Sequence, residues 1–200
     1  MTPDADRIVG LYERHARTWD EERSQSLFER PWLQRFLELV PLAGSILDIG
    51  CGSSEPIAGF FVRAGYRVHG IDSSPAMIAF CKERFPNSAW DVADMRTLSV
   101  GRTFDGILAW DSFFHLSRDD QRRMFRIFRA HAAPNAALMF TSGTSDGVAM
   151  GTYGGEPLYH ASLAPDAYRA LLTEHGFEVV ANIFEGAETG GHSIWLAKSS

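Results

Sequence analysis

Four aspartates stand where short apolar runs end: Asp48 in SILDIG, Asp72 in YRVHGID, Asp94 in SAWDVAD and Asp111 after FDGILAW. Two glycines follow the first of them, in Asp48-Ile49-Gly50-Cys51-Gly52. Glycines that close a strand let the backbone approach a ligand. In a dinucleotide fingerprint such a loop leads a diphosphate onto a helix N-terminus, and a carboxylate just ahead of the first glycine would repel it. Asp48 instead suits a ligand that carries positive charge, such as an amino-acid ammonium beside a sulfonium. A GK[ST] phosphate loop is impossible, because the only lysines are Lys82 and Lys198. Cys51, with no histidine beside it in sequence, reads as a small buried residue and not a nucleophile.

The chain has 200 residues, enough for one domain with a proper core. A hydrophobic fraction of 45% and a charged fraction of 22% are those of a soluble globular protein. Cys51 and Cys81 make neither a disulfide framework nor a zinc cluster, so no metal and a reducing, cytoplasmic setting are expected. A net charge of −6 argues against nucleic acid as a partner. MTPDADRIVG lacks the apolar core of a signal peptide. No stretch approaches the roughly 18 apolar residues of a membrane span, so no membrane partner is expected.

Between the first five apolar runs lie segments with helical start and stop signals. Glu55-Pro56 opens one that Gly65 closes, Ser74-Pro75 opens a second, Ser117 with Asp120 resembles a capping box, and Pro165 starts another that Gly176 stops. Strand and helix in strict alternation predict parallel pairing with right-handed crossovers, hence a doubly wound α/β sheet. Only EGAETGG separates the last two runs, 177–184 and 192–198, which is too short for a crossover helix, so these should pair antiparallel. The expectation is a seven-stranded, mostly parallel sheet ending in an antiparallel hairpin, preceded by an N-terminal helical extension. In that extension Tyr12 and Trp19 share one helix face, and Trp32, Phe36 and Leu39 face together in a second helix.

The loop Asp48-Ile49-Gly50-Cys51-Gly52 at the end of a first strand resembles the cofactor loop of class I S-adenosylmethionine-dependent methyltransferases, with Ser54 where that family usually has a third glycine. The segment YERHARTWD is similar to the cofactor-covering helix of its bacterial small-molecule members. The resemblance implies S-adenosylmethionine as cofactor. It implies Asp72 on both ribose hydroxyls with Ser73 and Met77 nearby, and Asp94-Met95 on the adenine amino group and ring. It further implies Trp110 beside the methyl group, the loop residues Asp48, Gly50, Cys51 and Gly52 on the amino-acid part, and Tyr12 and Trp19 over the site.

The reaction so implied is in-line methyl transfer to an oxygen or nitrogen of a small molecule. AWDSFFHL then offers Asp111 and His115 as catalytic candidates, with His115 as the base or at least a substrate contact. Residues 142–164 read as a long connection without secondary structure, with Glu156-Pro157 as a fixed turn; Tyr153 and His160 within it, and His192 beyond it, are candidate substrate contacts. One domain, 1–200, is expected, made of a helical cap (1–42), a cofactor-binding half (43–141) and a substrate-side loop and hairpin (142–200). Two rivals are an NAD-dependent oxidoreductase, for which Asp48 is misplaced and no YxxxK pair exists, and a non-catalytic S-adenosylmethionine-binding protein. A DNA-base enzyme would carry [DNS]PP[YFW] where AWDSFF stands.

Overall fold

Every side chain of the strand Ser45–Ile49 (β1) is buried, as suits a central parallel strand covered on both faces. The computed structural model describes residues 3–23, 26–184 and 191–200. In it β1 lies between Arg67–Asp72 (β2) and Phe104–Ala109 (β4), parallel to both. Ala89–Val92 (β3) extends the sheet beyond β2, and Ala132–Ser142 (β5) beyond β4. Phe177–Ile183 (β8) and Ser193–Ser199 (β9) complete the order β3-β2-β1-β4-β5-β9-β8, with β9 antiparallel to both neighbours. The expected seven-stranded, mostly parallel sheet with its antiparallel hairpin is therefore present. The chain order reverses between β1 and β4, where the crevice of such a sheet opens at the strands' carboxyl ends.

Alternation along the strands divides the core into two layers. Ile46, Leu108 and Met139 pack under Ile57–Arg63 (α3), Pro75–Arg84 (α4) and Arg30–Leu37 (α2), whose Trp32 and Phe36 are buried. Leu47, Ile107 and Phe140 face Arg118–His131 (α5) and Pro165–Glu174 (α6). Phe140 and Trp195 pair in register across β5 and β9 and stack with centroids 6.0 Å apart.

The helix signals hold. Ser74 Oγ accepts the Met77 N–H ahead of Pro75, and Ser117 Oγ accepts the Asp120 N–H. The Asp120 carboxylate takes the Ser117 hydroxyl instead of completing a capping box. Gly65 and Gly176 end α3 and α6 at φ 87° and 74°.

Two expectations need correction. Residues 142–164 are not a structureless connection: Gly147–Tyr153 (β6) and Glu156–Ser162 (β7) form a separate antiparallel hairpin. Its turn is Gly154-Gly155, both at positive φ (57° and 77°), and Glu156-Pro157 already begins β7. Leu39 falls beyond the end of α2 and is only partly buried; Leu33 takes its place beside Trp32 and Phe36. Most of EGAETGG, residues 185–190, lies outside the described residues.

The first helix, Pro3–Glu22 (α1), lies against β7 and α4 and so crosses the carboxyl edge of the sheet. Buried Tyr159 and Ala161 of β7 meet Ile8 of α1. Charged contacts tie the helix down along its length. Asp6 binds Arg96, Arg14 and His15 bind Glu156, and Asp20 holds Arg84 through two bonds of 2.7 and 2.6 Å. Glu13 Oε2 accepts the Ser74 hydroxyl and the Ala76 N–H, adding an acid at the N-terminus of α4.

Candidate active site

Beneath α1, at the carboxyl ends of β1, β2 and β4, is a cavity of about 320 Å³. Its floor is the loop after β1. Gly50 (φ 77°) and Gly52 (φ 53°) cannot be other residues without displacement. A Cβ at Gly50 would meet Ser112 Cβ at 2.3 Å, and one at Gly52 would meet the Trp19 ring at 3.0 Å. Ser54, at the place where the resembled family usually has a third glycine, also adopts the left-handed conformation (φ 75°). Its buried hydroxyl has no hydrogen-bond partner among the described residues. Cys51 lines the cavity and is half-buried, so it is less enclosed than expected. Burial and the neighbouring Cys81 push its thiol pKa up, which leaves it protonated and unreactive.

Two carboxylates face each other across this loop. Asp48 is 3% exposed, and no described residue donates a hydrogen bond to its carboxylate. Burial, then the nearby Asp72, raise its pKa to about 7. Asp72 Oδ2 accepts the Gly52 N–H at 3.0 Å and Oδ1 accepts the Ser74 N–H at 2.9 Å. Burial still outweighs these bonds and raises its pKa. Ser73 and Met77 line the same wall. At the far end Asp94 caps the turn Met95–Thr97 through the Arg96 N–H, and the Arg96 guanidinium grips both its oxygens. Burial raises the Asp94 pKa, but the Arg96 bonds together exceed that effect and leave it lowered. Met95 lines the cavity beside it.

The other end is built by the turn after β4 and by β7. Trp110, 5% exposed, lines it. Asp111 is in the left-handed region at φ 47°, where its N–H donates to Thr141 Oγ1 at 2.8 Å. Burial raises its pKa, against the opposing pull of His192 and Arg23. His115, in the single turn Phe113–His115, bonds through Nδ1 to the Tyr159 carbonyl at 2.9 Å. A carbonyl only accepts, so Nδ1 carries the proton and Nε2 accepts the Tyr12 hydroxyl at 3.1 Å. Burial lowers the His115 pKa to about 4, so the ring is neutral at physiological pH.

His160 and His192 complete the wall, flanking Phe114 at centroid distances of 5.2 and 4.9 Å. Tyr12 and Trp19, edge to face at 6.4 Å, form the roof. Every site residue expected from the sequence lines the cavity except Tyr153. That side chain stacks on Tyr12 at 6.2 Å and bonds Glu22, so it braces the roof from outside. Lining residues missed include Ser112, Phe114 and Arg23. Ser112 and Phe114 sit in AWDSFFHL, where nothing separates a wall residue from a core one. Among the described residues no group of three or more histidines, cysteines or acids is placed to hold a metal, and no helix is long and apolar enough to cross a membrane.

Residues 46–135 match the model of the methyltransferase domain family. A dTDP-4-amino-2,3,4,6-tetradeoxy-D-glucose N,N-dimethyltransferase of Saccharopolyspora spinosa is 30% identical over 69% of this chain and 54% of its own length. A trans-aconitate 2-methyltransferase of Variovorax paradoxus (strain S110) is 31% identical over 61% of this chain and 46% of its own length. The chain thus spans about half the length of these relatives. Among solved structures, the SAM-bound amino pentose methyltransferase CalS10 of Micromonospora echinaspora shares the fold. It superposes with a TM-score of 0.71 at 21% identity, over 95% of this chain and 97% of that one. These matches make the chain similar to class I S-adenosylmethionine-dependent methyltransferases, and its sheet order is the fold that such enzymes share.

Proposed function

We propose that the protein is a cytoplasmic bacterial enzyme that methylates an oxygen or nitrogen of a small molecule, with S-adenosylmethionine as methyl donor. The observation that carries this reading is the enclosed pair Asp48 and Asp72 on either side of the Gly50–Gly52 loop. Two carboxylates short of counter-charge call for a ligand that brings a cation and hydroxyl donors. A diphosphate would add to their charge, which disfavours the oxidoreductase reading.

The residues present fit the donor. Asp48 would meet its ammonium, Asp72 its ribose hydroxyls with Ser73 and Met77 alongside, and Asp94 and Met95 its adenine. Gly50, Cys51 and Gly52 would let it approach the backbone. When bound, the cofactor supplies a methyl group on a sulfonium, open to in-line displacement. Tyr12 and Trp19 exclude water from above, and Trp110 and Asp111 border the acceptor side. His115 is a neutral acceptor that positions Tyr12 and faces substrate; at a pKa near 4 it stores a proton poorly, which favours its contact role over that of a base. His160 and His192 line the acceptor end. Within one domain, residues 1–42 act as the cap, 43–141 as the cofactor half and 142–200 as the substrate side.

The names of the relatives divide between an amino sugar and trans-aconitate, so both acceptor elements remain in this reading. Titration with S-adenosylhomocysteine tests it. Asp72→Ala should weaken binding by about 10- to 100-fold through loss of charge-assisted hydrogen bonds. Unchanged affinity would remove the ribose assignment. Transfer of a labelled methyl group to any acceptor would separate an enzyme from a non-catalytic binding protein.

A further inference from the structure

The acceptor end of the cavity holds one charge that the protein leaves largely uncompensated. The Asp111 side chain keeps 35% of its surface accessible, opening to the cavity it lines. Its polar neighbours are few. The Thr141 hydroxyl donates to Oδ1 at a long 3.3 Å, and His192 Nε2 is 3.9 Å from the same oxygen, beyond hydrogen-bond reach. Arg23 also reaches the cavity and pulls on the Asp111 carboxyl, but its guanidinium pairs with the fully buried Glu29 at 2.6 Å, whose charge opposes that pull, and burial still leaves the Asp111 carboxyl raised. Burial lowers the pKa values of His115 and His160 and keeps both rings uncharged.

Around the carboxylate the wall is aromatic. Phe114 stacks under His192 at 4.9 Å and tilts against His160 at 5.2 Å. His160 in turn lies 4.8 Å from His115. These packed rings give an aromatic wall for the carbon skeleton of a ligand whose charged end meets the carboxylate. Asp111 also holds φ 47°, a conformation a non-glycine residue keeps only when its surroundings require it. The Thr141 hydroxyl takes the Asp111 N–H and so fixes the turn that aims the carboxylate.

Resting on the methyltransferase reading, we propose that this end of the cavity is a recognition subsite for an amine, which enters as its ammonium and binds the Asp111 carboxylate beside Phe114 and His192. An ammonium there would supply the counter-charge that Asp111 lacks. A carboxylate acceptor would instead meet a fixed like charge in an enclosed site, and a neutral hydroxyl would leave Asp111 uncompensated. The subsite therefore selects nitrogen over oxygen at the binding step, and the ammonium passes a proton to the Asp111 carboxylate before its lone pair can take a methyl group.

The test uses the intact protein saturated with S-adenosylhomocysteine and titrated with benzylamine, benzyl alcohol and benzoate, three probes that differ chiefly in the charge of one group. Benzylamine, charged at pH 7.5, should bind about tenfold or more tighter than the alcohol, and benzoate weakest. Asp111→Asn should abolish the amine's advantage over the alcohol. The wild-type ranking decides the matter even if that variant fails to fold. Equal binding of the three, no binding of any, or a preference for benzoate overturns the proposal. Failure of S-adenosylhomocysteine itself to bind would instead remove the reading on which the subsite rests.

Discussion

Asp48 has the unusual property, for a strand-end acid, of a pKa near 7 in the unliganded protein. At pH 7 it is about half protonated, and a ligand that sets an ammonium beside it must shift it to the charged form. Binding of S-adenosylhomocysteine at pH 7 should therefore release about half a proton, read from the dependence of the calorimetric heat on buffer ionisation enthalpy. Asp48→Asn should release none. Proton uptake in the wild type would contradict the assignment of Asp48. Ser54 makes a second residue-scale case. A left-handed non-glycine residue is strained by about 1–2 kcal/mol, and its hydroxyl is orphaned. Glycine relieves both, at about 0.5–1 kcal/mol of added unfolded-state freedom. Ser54→Gly should leave chemical-denaturation stability unchanged or raise it by about 1 kcal/mol; a clear loss would mean that the hydroxyl matters. The aspartates were legible in the sequence because each ends a strand, and strand ends gather at one edge of a parallel sheet. The charge state of His115 was not, since it depends on burial and on a carbonyl of Tyr159 that lies 44 residues away.

At the scale of elements, α1 is the piece that closes the site. Its roof residues Tyr12 and Trp19 are held by contacts to three other parts of the chain: Arg96 after β3, α4, and Glu156 at the start of β7. Several of these pairs are partly exposed, and each contributes little alone, about 0–1 kcal/mol. A helix tied by such contacts opens locally more readily than the sheet beneath it. Limited proteolysis should cut in α1 and in the β6–β7 hairpin first, and saturating S-adenosylhomocysteine should slow both cuts together. Cleavage unchanged by the ligand would count against a shared closure. The pairing of Tyr12 with Trp19 followed from helical spacing. The hairpin could not be read, because β6 carries three glycines within and beside it and has no buried side. It lacks the period-2 alternation that marks a strand. Tyr153 was misplaced for the same reason: without the hairpin, nothing showed that it would lean on Tyr12 from outside.

Across the whole molecule, alternation of apolar runs with capped helices was enough to specify parallel pairing, and one connection too short for a helix was enough to specify the antiparallel end. The insertion of β9 between β5 and β8 was not readable, since it rests on long-range register such as Phe140 against Trp195. What the fold does for function is to collect Asp48, Asp72, Asp94 and Asp111, each from a different strand end, around one cavity. The central claim is that three of these acids, Asp48, Asp72 and Asp94, define a site for a cationic nucleoside and not for a dinucleotide. The most direct measurement is calorimetric titration of the purified protein with S-adenosylhomocysteine, with NAD in parallel. Saturable binding of S-adenosylhomocysteine with none of NAD is the predicted result. Saturable binding of NAD without S-adenosylhomocysteine would contradict the role of Asp48 and every assignment built on it.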